Sequence, residues 1–110
     1  MRISMCHCLE CQRRTGSTYG AQARWKKERV LLTGEPSIYE RTGDSGGRAR
    51  FFFCPNCATT LYWDNDRMPD TWAIAIGAFA DPSFPAPRVS VYEDRKHPWV
   101  GTPPHVEHMA

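Results

Sequence analysis

The 110-residue sequence has no apolar run approaching the ~20 residues of a membrane-spanning helix. It has almost no excess of charge either. Fourteen Lys and Arg against twelve Asp and Glu leave a formal net charge of +2, whereas a dedicated nucleic-acid binder usually shows a strong basic excess. No internal repeat, low-complexity tract or domain boundary breaks the chain, so one domain over residues 1–110 is expected. The cysteine count is odd. Five cysteines cannot all pair into a disulfide framework, and their short spacings suit metal better. The opening Met1 to Met5 runs straight into cysteines and lacks the apolar stretch of a signal peptide. These absences lead to the expectation of a soluble, cytoplasmic protein with neither a membrane nor a nucleic-acid partner.

What is present points to a small β-domain. Nine Pro and eight Gly favour turns and short strands over long helices. A chain of this size buries only about 65% of its unfolded surface, so its core is thin and metal ligation is a common supplement. Residues 6–17 read as a turn-rich metal knuckle. Tyr19 to Trp25 alternates, with Tyr19, Ala21, Ala23 and Trp25 on one face and Gln22 and Arg24 on the other, the period of a half-buried strand. Val30 to Thr33 is a short apolar run ended by Gly34-Glu35-Pro36. Further strands are expected at 37–41, 48–53, 60–63, 71–76 and 88–92, with a turn over 42–47 and an irregular tail from His97. Mainly β, with little helix, is the expected class.

All five cysteines fall in two clusters. Cys6, Cys8 and Cys11 form a Cys-x-Cys-x-x-Cys run. Three thiolates this close converge on one ion only if the backbone curls around it. Zn²⁺ suits them, because it accepts soft thiolates in tetrahedral coordination. Three protein ligands leave a fourth position for water or a substrate thiolate. The alternatives are a closed structural site completed by a distant ligand, or free thiols. Cys54-Pro55-Asn56-Cys57 is ambiguous between redox and zinc by itself. A redox pair normally opens a helix, but the flanks here, Arg50 to Phe53 and Thr59 to Trp63, are strand-like, which favours zinc. His7, between two candidate ligands, points away from a metal that they face and reads as an exposed residue or one that supports the ligands from behind, not as a ligand. Trp63, Trp72, Phe79, Tyr92 and Trp99 read as core rather than as a substrate platform. The basic clusters Arg13-Arg14, Lys26-Lys27 with Arg29, and Arg48 with Arg50 are either solvated surface or a means of capturing a small anion.

The run from Cys6 to Ser17 closely resembles the signature of the glutathione-dependent formaldehyde-activating enzyme family, also called CENP-V/GFA. So does Phe53-Cys54-Pro55-Asn56-Cys57 followed by Leu61. Weaker agreements are Gly34-Glu35-Pro36, Ser45-Gly46, Gly77 with Asp81-Pro82, and Pro98-Trp99. The resemblance implies a zinc-stabilised complex of several short coiled β-sheets, one or two zinc ions per chain, and carbon–sulfur lyase-type chemistry that joins glutathione to formaldehyde. It implies that Cys6, Cys8 and Cys11 carry the catalytic zinc. It also implies that Cys54 and Cys57 share a structural zinc with an upstream Cys-x-Cys, which this sequence does not contain; sharing one zinc with the first cluster is the alternative. Ala58 stands where the family usually has Gly, which would strain the turn if that position needs a positive φ. Arg13, Arg14 and Arg48 are candidate partners for glutathione carboxylates. Two readings from other classes stay open: a non-catalytic zinc module that binds a protein or nucleic acid, and a dithiol redox protein using Cys54 and Cys57.

Overall fold

The computed structural model describes residues 1–43 and 46–110. Ser45, and with it part of the expected 42–47 turn, lies outside them. The strands are β1 (Arg2–Cys6), β2 (Gly20–Lys26), β3 (Ser37–Thr42), β4 (Arg48–Phe53), β5 (Thr60–Asn65), β6 (Met68–Ala75), β7 (Val89–Val91) and β8 (Glu107–His108). Among the described residues there is one α-helix, α1 (Leu9–Thr15), together with three short 3₁₀ turns. The mainly-β expectation holds, and the strands join into one eight-stranded sheet ordered β3-β4-β5-β6-β2-β1-β7-β8. β3 to β6 form a meander of antiparallel neighbours, whereas β7 lies parallel to both β1 and β8.

Register sorts the side chains into two faces, because directly opposed residues share a side of a sheet. Cys6 opposes Gly20, Ser4 opposes Gln22, and Arg2 opposes Arg24. Gln22 and Arg24 in turn oppose Ala75 and Ala73. The same face continues through Trp63, opposite Ala73, and Phe51, opposite Trp63. Phe51, Trp63 and Ala73 form its buried apolar centre, with Ala49 and Ala75 packed against them.

The opposite face carries Ala23 and Ile74, then Tyr62 and Phe52. Here Phe52 stacks on Tyr62 at 4.8 Å, and Trp72 meets Tyr62 edge-on at 4.9 Å. Lys27 Nζ sits 4.1 Å from the Trp72 ring centre and also pairs with Asp64 at 2.6 Å. Asp64, 5% exposed, accepts from Arg50 Nε at 2.9 Å as well. Two cations around one buried carboxylate satisfy the lone pairs that burial would otherwise orphan.

Several expectations change. The 6–17 segment is the end of a strand followed by a helix, not turns alone. Cys8 caps that helix, its Sγ accepting from Cys11 N at 3.3 Å, and Gly16 ends it at φ 69°. Gly fits there because a Cβ disfavours the left-handed conformation. The short apolar run Val30 to Thr33 lies outside the strands, and Leu31 is 90% exposed. The tail is irregular apart from β8, which adds an edge beside β7. Trp63 is core, as expected. Phe79, Tyr92 and Trp99 are exposed, because they lie on connections beyond the sheet faces that would cover them.

Candidate metal centre

Three short-range features bring Cys6, Cys8 and Cys11 together. Cys6 ends β1 with its side chain on the Phe51–Trp63 face. Cys8 occupies the helix cap, and Cys11 follows one turn later, where residues three apart share a helix side. Their Sγ atoms lie within 4.8 Å of one another. Cys6 is buried, and Cys8 and Cys11 are half-buried. Hydrogen bonds from Cys11 and Cys6 pull the Cys8 thiol down to about 2. The same sharing, together with burial, pushes Cys6 far above its ordinary value. A divalent cation suits such a group, because it replaces the shared protons and takes thiolates directly. The donor set fits a soft or borderline metal.

His7 lies on the far side of this backbone, as expected, but it is fully buried and so not the exposed residue that was the alternative. Its Nε2 and Ser90 Oγ are 2.9 Å apart, and its N–H donates to Val91 O at 3.0 Å. Gln12 closes the rear of the helix: Nε2 donates to His7 O at 2.9 Å and to Arg95 O at 3.1 Å, while Oε1 meets His97 Nε2 at 2.8 Å. The loop carrying the three thiols is thus fastened from behind to β7 and to the tail.

In front of the thiols opens a cavity of about 610 Å³. Five arginines line its wall among the described residues: Arg14, Arg24, Arg41, Arg48 and Arg67. Arg14 lies 4.2 Å above the Trp63 ring, an arrangement that orients the cation while leaving its edge to donate. Arg41 pairs with Glu10 at 2.8 Å, and Arg48 Nε lies 3.7 Å from Asp66. Arg13 points elsewhere: its side chain is 76% exposed and pairs with Glu10 along the helix. Of the three arginines suggested as carboxylate partners, Arg14 and Arg48 line the cavity and Arg13 does not. The sequence reading missed Arg24 and Arg41, which strand alternation in an assembled sheet brings to the same wall, and Arg67 from the β5–β6 turn.

Cys54 and Cys57 occupy the β4–β5 hairpin. Cys54 N donates to Thr59 O at 2.9 Å, and Ala58 N to Cys54 O at 2.8 Å. Cys57 is exposed, and its thiol is drawn below the ordinary range by the hydroxyl and backbone of Thr59 and by Cys54. Among the described residues no third ligand joins this pair, and it does not merge with the first cluster. Ala58 adopts φ 65°, so the Gly-to-Ala departure does fall at a left-handed position.

A single β-sheet with three converged thiols beside a guanidinium-lined cavity is the framework of a protein that can hold a metal ion on sulfur. The profile of the GFA family, described as glutathione-dependent formaldehyde-activating enzyme, matches residues 1–95, and the chain belongs to that family. No curated protein matches it. No helix of the described residues is long and apolar enough to cross a membrane.

Proposed function

We propose that this protein is a zinc-dependent enzyme of the carbon–sulfur lyase type that adds a thiol, glutathione or a relative, to formaldehyde. The observation that carries the reading is the convergence of three thiols, Sγ atoms within 4.8 Å, on the wall of an arginine-lined cavity. Cys6, Cys8 and Cys11 would hold the zinc, which when bound lowers the pKa of a fourth-position thiol and polarises a carbonyl. In the reaction the substrate S–H bond breaks and a sulfur–carbon bond forms. The aldehyde π pair becomes an alkoxide, which takes the proton to give the S-hydroxymethyl adduct. The chain's own part is to confine both reactants, since proximity dominates such an addition. The guanidinium groups attract an anionic thiol, and the Phe51–Trp63 floor excludes water from one side.

Cys54 and Cys57 are read as ligands of a second zinc completed from outside the pair. Residues 1–110 are read as one domain, supported by β8, which lies beyond the matched segment yet extends the same sheet. Five free cysteines suit a reducing cytoplasm. The test combines zinc content by elemental analysis with NMR detection of the S-hydroxymethyl adduct from ¹³C-formaldehyde and glutathione. Adduct formation above the uncatalysed rate, lost on chelation and restored by zinc, is expected. Zinc-replete protein that binds no thiol and forms no adduct would instead make the chain a non-catalytic zinc module.

A further inference from the structure

Two buried polar atoms on β2 have no partner among the described residues, and both residues line the cavity. Gln22 is 5% exposed. Its Nε2 donates to Ser4 Oγ at 2.9 Å, while its Oε1 is buried and unbonded. Arg24 presents a buried Nη1 without an acceptor. Strand alternation puts the two side chains on the face that carries Cys6, and both line the same cavity as the three thiols.

The neighbouring charges sharpen the point. Among the described residues, the cavity's carboxylates are engaged by other arginines, Glu10 by Arg13 and Arg41, and Asp66 by Arg48 and Arg50. No carboxylate of the described residues pairs with Arg24. Burial and then the nearby Arg2 push its pKa down, while the Cys6 and Cys11 sulfurs act the other way. Folded proteins rarely leave buried donors and acceptors empty-handed. A charged donor and a neutral acceptor, two residues apart on one strand and both on residues lining one cavity, suit a ligand that offers the complementary pair.

We propose that Arg24 and Gln22 form the recognition subsite for a carboxylate-bearing thiol. Arg24 Nη1 donates to the substrate carboxylate, and Gln22 Oε1 accepts from an N–H of the same molecule, fixing the thiol relative to Cys6, Cys8 and Cys11. This rests on the thiol reading above and adds that the carboxylate is required, which makes Arg24 a specificity residue rather than a catalytic one.

Two thiols differing in that group alone test it. N-acetylcysteine and N-acetylcysteamine share a thiol and an amide N–H, and only the first has a carboxylate. Titration calorimetry on the full zinc-loaded chain should show the first binding about 10- to 100-fold tighter, the range of a charge-assisted hydrogen bond. Arg24→Gln should bring the ratio to about one, and Arg24→Lys should restore part of the preference. Gln22→Glu, which sets a carboxylate against the ligand's own, should weaken N-acetylcysteine selectively. Equal affinity of the wild-type chain for both thiols overturns the subsite and leaves the thiol reading standing, as does an undiminished ratio in Arg24→Gln. Binding of neither thiol overturns both. Should Arg24→Gln fail to fold, the wild-type ratio and Gln22→Glu still decide.

Discussion

Cys6, Cys8 and Cys11 draw their sulfurs together from three backbone settings: a strand end, a helix cap and the first helical turn. Cys54 and Cys57 instead share one exposed hairpin. The first group is packed against the Phe51–Trp63 floor, fastened behind through His7 and Gln12, and fronted by a cavity. The second has two thiols and, among the described residues, no third ligand. Both are short-spaced cysteine motifs, and their surroundings differ. A donor set with a cavity in front can bring a reactant to its metal, while a donor set at a turn can at most pin the chain. Thiol spacing therefore decides whether sulfurs converge, and the packing around them decides what convergence is for.

The sharpest way to break this contrast is to remove one ligand from each group. Cys8→Ser is expected to lower zinc affinity at the triplet by more than about 100-fold, the upper figure for losing a group that merely orients a ligand. It should also abolish adduct formation. Cys57→Ser should leave adduct formation within about twofold, since the hairpin touches no cavity thiol. Zinc stoichiometry and the NMR assay on both variants check this, and equal losses of activity would erase the distinction.

Next in size is the rear fastening. Ser90→Ala removes the partner of a fully buried imidazole nitrogen, while His7 Nδ1 already lacks one. A loss of about 1–3 kcal/mol in denaturant unfolding is expected, together with weaker zinc binding at the triplet and unchanged behaviour at the hairpin. The converse variant strengthens the hairpin: Ala58→Gly relieves a left-handed alanine at φ 65° and should stabilise the chain by about 1 kcal/mol. Thermal melts with denaturant curves measure it, and destabilisation would show that the turn is not strained.

The smallest effect is on pH. Hydrogen bonds from His108 and then Ser90 hold Glu93 below its ordinary carboxylate value. A depressed folded pKa contributes stability fully above the unfolded value near about 4.3, and that contribution fades as pH falls through the folded one. Wild type should therefore lose stability more steeply than Glu93→Gln on acidification below about pH 4. Parallel acid slopes in melts of the two proteins would remove Glu93 from the account.

Most strands were legible because their alternation and turn residues are local signals. The hairpin of Cys54 and Cys57 could be read from its strand-like flanks, and the family from the Cys6–Ser17 run. The helix at Leu9–Thr15 was hidden, since seven residues give too little periodicity and Cys8 is an unusual cap. Gln22 and Arg24 looked like the wet face of a half-buried strand. They became the cavity wall once β1 and β6 flanked β2 and α1 packed above it. By itself the sequence determined the β class, the family and the two clusters of cysteines, because residue type and short spacing carry that information. Only the tertiary structure decided which face is the cavity, which arginines reach it and which thiols converge, because those depend on strand neighbours far apart in the chain.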